Sequence, residues 1–356
     1  MNQRLYTPGP VTVPHAVADA VSASPLYHRS AAFRDLSRSV WDGLRDVFGS
    51  THRVVVLAGT GMTGIEACIA STVGEGTTVL VVRHGRFGER LAQINRIYGA
   101  TVVEIVAEWG EQIDAETIMA QCAEIPHIDA MWCVHSETST GVCLDVASIA
   151  RAVRERYPEA LIMVDAVLSV GIEPLRCSEW GLDAAVAGIQ KGLLCPPGLA
   201  CVHMSERLEQ RLHTQRRTYT TDLMTVVRDQ DKGLFTWTPP VTLMAGLDAA
   251  IRQLLAIGMP AVWSLHADRT RRIHDACIAR GFSAFGVSNA HGVVVVEHPQ
   301  ADALRRRLEQ EHSMIVAGGQ DRLAGRVVRI GTCGAMTDPM IDELFEAVDT
   351  ILTELT

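Results

Sequence analysis

The sequence predicts an α/β chain in which a large domain, with a mainly parallel sheet between helices, is followed by a smaller α+β domain. Three observations carry this. Short β-branched runs alternate with segments of helical period as far as Met204. Polar residues gather where those runs end, which is where open α/β sheets place their ligands. From Val241 the pattern changes to a long helical stretch and then to shorter strands and helices. At 356 residues the chain has room for both units. We divide it into an N-terminal arm (1–20), a large domain (21–245) and a small C-terminal domain (246–356).

Thr7-Pro8-Gly9-Pro10 and Pro14 exclude a helix or central strand at the start, so an extended arm is expected, of the kind that reaches across a dimer. Phe33, Leu36, Val40, Leu44 and Val47 recur at three- and four-residue spacing, which predicts an amphipathic helix over Ala31–Phe48, stopped by Gly49. Val54–Ala58 is a short strand feeding Gly59-Thr60-Gly61-Met62-Thr63-Gly64 and a helix start. Strand, glycine-rich turn and helix N-terminus together make an anion site, because small residues let free backbone N–H groups approach a phosphate. The same letters satisfy GxGxxG, the dinucleotide fingerprint. Against a dinucleotide, an arm and a long helix precede this strand, and the next strand, Thr78–Val82, ends in Arg83-His84 rather than in an acid for a ribose hydroxyl. An NADP-dependent oxidoreductase using Arg83 stays open on these letters.

Phe87 stands between Gly85 and Gly88, where an aromatic ring can stack on a planar cofactor or anchor the turn in the core. A helix to Tyr98, a strand at Thr101–Val106 and a strand at Ile128–Val134 follow. The last runs into His135-Ser136-Glu137-Thr138-Ser139-Thr140-Gly141, where Thr138 is placed to hydrogen-bond a cofactor oxygen and His135 and Glu137 read as structural. Asp145–Tyr157 is a helix.

The next stretch, Leu161–Lys191, organises the rest: one strand ends in Asp165 and a second apolar run ends in Gln190-Lys191. Pyridoxal phosphate needs an amine to form a Schiff base with its aldehyde, and a carboxylate to keep its ring nitrogen protonated. Lys191 and Asp165 are those residue types, and an apolar pocket beside a cationic ring depresses the pKa of such a lysine. Pro196-Pro197-Gly198 and a returning strand at Ala200–Met204 put Lys191 on a loop between two strands. Arg216–Trp237 is polar with little periodicity. Beyond it come a helical stretch from Val241 towards Arg280, broken at Gly258-Met259-Pro260, a strand at Gly292–Glu297, a helix at Ala301–Glu311, strands near Ile315 and at Arg326–Ile330, and a terminal helix from Pro339. Arg329 on the last strand offers the planar guanidinium that clamps a carboxylate.

A net charge of −9 without a long Lys/Arg run argues against nucleic acid or an anionic membrane as partner. Nine scattered cysteines with no zinc spacing suit a reducing compartment, and no metal is expected. Without a leader pattern or an apolar run approaching roughly 18 residues, the cytoplasm is the expected location.

TPGP, GTGMTGIEA, GRFGER, VHSETSTG, VDAVLSVG, AGIQKGL with PPG, FTWTPP and VVRIG occur in one order along almost the whole chain. In this the sequence resembles the class V aminotransferases of fold type I. It is similar to the branch holding alanine–glyoxylate, serine–glyoxylate (serine–pyruvate) and 2-aminoethylphosphonate–pyruvate aminotransferases. The resemblance implies a seven-stranded-type, mainly parallel sheet and a pyridoxal 5'-phosphate enzyme. Such an enzyme moves an amino group from a small donor such as alanine or serine to glyoxylate or pyruvate by a ping-pong cycle, with a phosphonate donor as the alternative. It implies that Lys191 is the Schiff-base lysine and proton shuttle and that Asp165 pairs with the ring nitrogen. Thr60, Gly61, Met62 and Gln190 would contact the phosphate, Thr138 the ring hydroxyl, and Val167 and Phe87 the two ring faces. Arg329 would hold the substrate carboxylate. Thr238 would reach the phosphate of the neighbouring subunit, so the active sites of a homodimer are shared. Phe87 stands where that branch commonly has Trp, Met62 where a His can sit, and Phe235 where a phosphate-binding Tyr is usual; losing that phenolic donor removes about 0.5–1.5 kcal/mol of phosphate binding. A lyase of the same fold would need a nucleophilic Cys on a mobile loop, and none lies between His312 and Arg326.

Overall fold

A computed structural model describes residues 3–213 and 217–355. Seven strands form the main sheet, in the order Val54–Gly59, Gly198–Met204, Ala184–Gly188, Leu161–Asp165, Ala130–Val134, Thr78–Arg83, Thr101–Val106. Only Gly198–Met204 runs antiparallel to its neighbours. The register pairs Val134 with Asp165 and Asp165 with Val186, so the six co-directional strands end on one side of the sheet.

Both faces of this sheet are covered, which is why its strands read as unbroken apolar runs. Val54, Val56, Leu80, Val82, Ile162 and Val164 face a core shared with the helices Ala31–Val47, Val146–Arg156 and Val241–Ile257. Their alternates, among them Val55, Leu57, Val79, Val81 and Met163, face Ile65, Ile69 and Leu91 of the helices Gly61–Thr72 and Arg86–Ile97. A second sheet runs Arg4–Tyr6, Met314–Gly318, Val327–Gly331, Val293–Glu297, Ser283–Ala284. One face of it packs on Ile273, Leu304, Leu308 and Leu344. The other meets Val11, Leu168 and Ile172, so the smaller sheet leans on the loop that follows Asp165.

The structure departs from the sequence reading in two places. His15–Ser22 is a helix: Pro14 sits at its N-cap with φ −62°, where a missing N–H costs nothing, so proline opens this helix instead of preventing it. Within Arg216–Trp237, expected to be irregular, Leu223–Asp231 is a helix whose N-cap, Asp222, accepts from Thr225 N; Arg216 lies outside the described residues. The change of pattern at Val241 opens a continuous helix to Ile257 whose buried face, including Met244, Leu247 and Ile251, joins the larger core. It ends at Gly258, where the chain bends by 89° into Met259–Ile278. Among the described residues no single helix is long and apolar enough to cross a membrane.

Asp183, just before the strand Ala184–Gly188, ties the sheet together from one end. Its carboxylate accepts from Ile162 N at 2.8 Å, Ser205 Oγ at 2.7 Å and Arg154 Nη2 at 2.6 Å, while the side chain is 3% exposed. Asp183→Ala strands a buried N–H and one side of an ion pair, and is expected to lower unfolding free energy by about 3 kcal/mol in chemical denaturation. Asp183→Asn keeps an acceptor and is expected to cost less.

Candidate active site

Five strand ends build one cavity of about 170 Å³. Its wall brings together Thr60, Gly61, Met62, Phe87, Thr138, Asp165, Val167, Gln190 and Lys191, nine of the residues singled out from sequence, with Ile65, Arg90, Val134, Ser136 and Leu168. The tertiary contacts explain several of these positions. A Cβ at Gly61 would stand 2.4 Å from Val167 Cγ2, so only glycine lets the helix start this close to that wall. Gly61 and Met62 are the first two residues of the helix Gly61–Thr72, and their N–H groups have no intrahelical acceptor and point an anion-binding end into the cavity. Thr63 Oγ1 accepts from Thr60 N at 3.1 Å, which holds the turn shut.

Asp165 is 5% exposed and, among the described residues, accepts one hydrogen bond, from Val167 N at 3.0 Å. Burial pushes its carboxyl up to about 7; the Val167 N–H pulls the other way. A carboxyl in this setting is completed by a cation, and the cavity is where that cation would sit. Lys191, on the loop after Ala184–Gly188, has its amine pKa lowered by burial. Its Nζ donates to the carbonyl of Pro8 at 2.5 Å, so the arm, which folds back from the smaller sheet, covers it. Gln190 Oε1 is buried without a hydrogen-bond partner among the described residues, a polar atom facing the same space. A phosphorylated pyridine aldehyde satisfies this donor set: backbone N–H groups and an amide for the phosphate, an acid for a ring cation, flat apolar walls, and an amine of depressed basicity.

Two expected residues lie outside the cavity wall. Arg329 is 7% exposed on the strand Val327–Gly331, and its Nε and Nη1 donate to Gly318 O at 2.8 Å and Thr138 O at 3.0 Å. It is thereby fixed to the turn that carries Thr138, and burial lowers its pKa to about 10. Thr238 is exposed in a groove with Thr220, Thr221 and Trp237, away from the cavity of its own chain. Arg83, the residue an NADP site would need, forms an ion pair with Glu104 at 2.8 Å. Sequence reading passed over Arg90, whose guanidinium lies 4.9 Å from the centre of the Phe87 ring and carries no hydrogen bond or ion pair among the described residues. Its one visible signal was its place three residues after Phe87, one helical turn on.

A family model described as Aminotransferase class-V matches residues 15–320. The chain is 32% identical to a Synechococcus protein named soluble hydrogenase, small subunit, over 99% of this chain and 93% of that one. It is 31% identical to a serine–glyoxylate aminotransferase of Methylorubrum extorquens, over 94% and 87%. The crystal structure of an alanine–glyoxylate aminotransferase from Nostoc superposes with a TM-score of 0.94 at 30% identity, covering 99% of this chain and 96% of that one.

The Asp165 carboxyl gives a pH test with a definite sign. Its folded value, about 7, lies above the ordinary 3.8, so in cofactor-free protein its contribution to stability is full below pH 3.8 and is lost as pH rises through about 7. Asp165→Asn keeps the bond from Val167 N and cannot ionise. Thermal unfolding of the cofactor-free variant is expected to show a higher midpoint than the parent at pH 8 and no advantage at pH 4.

Proposed function

This chain belongs to the class V aminotransferases, and on that premise we propose that it moves an amino group from alanine, serine or a similar small donor to glyoxylate or pyruvate, with pyridoxal 5'-phosphate as carrier in a ping-pong cycle. The observation that carries the reading is a buried acid, Asp165, and an amine of lowered basicity, Lys191, in one cavity with the unpaired N–H end of the helix Gly61–Thr72. Glyoxylate as acceptor is supported by the names of the Methylorubrum and Nostoc relatives.

The carrier, when bound, supplies an aldehyde that takes up the amine and a ring that receives the electrons of a breaking C–H bond. Everything else falls to the protein. Gly61 N, Met62 N, Thr60 and the Gln190 amide would hold the phosphate, and Thr138 the ring hydroxyl. Phe87 and Val167 would confine the ring between an aromatic and a branched face. Asp165 would stay ionised beside the ring nitrogen, since a cation there offsets the burial that otherwise raises its pKa. Lys191, with a proton affinity reduced by burial, would take the proton from the donor carbon and return it, across the nitrogen, to the carbon of the carrier's aldehyde. Arg329, already oriented by Gly318 and Thr138, would clamp the substrate carboxylate with its remaining donors.

We also place the enzyme in the cytoplasm as a homodimer, on its nine free cysteines and on the position of Thr238 outside its own cavity. A second copy would bring Thr238 to the neighbouring phosphate and bury exposed Tyr219 and Trp237 beside it.

Lys191→Ala is expected to keep the fold and lose at least about 10³-fold in turnover, because nucleophile and proton carrier go together; appreciable activity in that variant removes the assignment. Arg329→Gln is expected to weaken carboxylate donors by about 10- to 100-fold in kcat/KM. Bleaching of the visible absorbance by one amine among alanine, serine, aspartate and 2-aminoethylphosphonate, and its return with glyoxylate, names the donor.

A further inference from the structure

Glu137 lies at the turn after Ala130–Val134 and is fully buried, yet no cation among the described residues is bonded to it. Its two oxygens divide four donors between two pieces of chain. Oε2 accepts from Phe87 N at 2.9 Å and Gly88 N at 3.3 Å, in the first turn of Arg86–Ile97. Oε1 accepts from Ser139 N at 3.1 Å and Ser139 Oγ at 2.7 Å, and the same hydroxyl accepts from Arg86 N at 3.1 Å. The opposite wall is shaped to admit this side chain: a Cβ at Gly85 would come within 2.3 Å of Glu137 Cγ and 2.7 Å of Ser139 Oγ. Burial raises the pKa of the carboxyl and the four donors lower it. The acid therefore joins the segment that presents Phe87 to the segment that presents Thr138. Because the Thr138 carbonyl accepts from Arg329, it also reaches the substrate clamp.

We propose that Glu137 is a positioning residue of the transamination site, one that sets the Phe87 ring and the Thr138 turn against the plane of pyridoxal phosphate. The proposal rests on the cofactor reading above. A structural cap of the helix Arg86–Ile97 would contribute to folding alone; a positioning residue also contributes to cofactor affinity, and does so through Phe87. An amide in its place has a single acceptor oxygen, so either the Phe87 and Gly88 N–H groups or the Ser139 donors lose theirs.

The test is a titration of the cofactor-free chain with pyridoxal phosphate, followed by absorbance and by the circular dichroism induced in the bound cofactor. Parent, Glu137→Gln, Phe87→Ala and the double variant make a double-mutant cycle. Glu137→Gln is expected to weaken binding by about 10- to 100-fold in the parent, to alter the induced signal, and to have less than about a threefold effect once Phe87 is alanine. Parental affinity in Glu137→Gln, or an equal loss with and without Phe87, overturns the proposal. If Glu137→Gln does not fold by far-ultraviolet circular dichroism, Ser139→Ala removes one of the four donors and runs the same cycle at smaller amplitude, with the same two outcomes. A parent chain that binds no pyridoxal phosphate overturns the cofactor reading itself, and is thereby distinguished from a failure of the role given to Glu137.

Discussion

A buried carboxyl and a part-buried amine stand at the ends of neighbouring strands, and the rest of the molecule is arranged around the cost of keeping them there. Each would be solvated on an open surface. Inside, desolvation pushes Asp165 towards its neutral form and Lys191 towards its own, by the same physics acting on opposite charges. Left alone, this is a destabilised site; a cationic ring against the acid and a carbonyl carbon against the amine would make it a matched one. The sheet supplies the rigidity such a match requires. Six strands that end on one side, between two layers of helices, fix the loops after Gly59, Arg83, Val134, Asp165 and Gly188 relative to one another.

The smaller sheet closes the arrangement. Its outer strand is the arm Arg4–Tyr6, so the carbonyl of Pro8 over Lys191 and the guanidinium of Arg329 beside Thr138 are carried by one body. Leu168 and Ile172, just beyond Asp165, pack on its inner face. A shift of that sheet would therefore move the arm over Lys191 and the Arg329 guanidinium together.

Local chemistry was legible wherever a residue type has few uses. Gly61 at a strand-to-helix turn, a strand ending in aspartate, and a lysine between two strands each point to a role without knowledge of the neighbours. Periodicity was equally informative, and it located the helices Ala31–Val47, Val146–Arg156, Ala301–His312 and Asp338–Leu355 to within a residue or two. It failed at His15–Ser22, where the prolines before it suggested extended chain, and at Leu223–Asp231, where a short amphipathic face is diluted by Thr and Asp. Tertiary packing overrides weak propensity in both.

The sequence by itself determined the strand order of chemistry along the chain, the residue types at the strand ends and the apolar runs that bury the sheet on both faces. Those are properties of composition and spacing, which act over a few residues. Only the tertiary structure decided that Glu137 spans to Phe87, that Arg329 is held by Thr138, and that Pro8 lies on Lys191. Each of these joins segments far apart in the chain, and a hydrogen bond of that kind exists only once the sheet has brought both partners to one place.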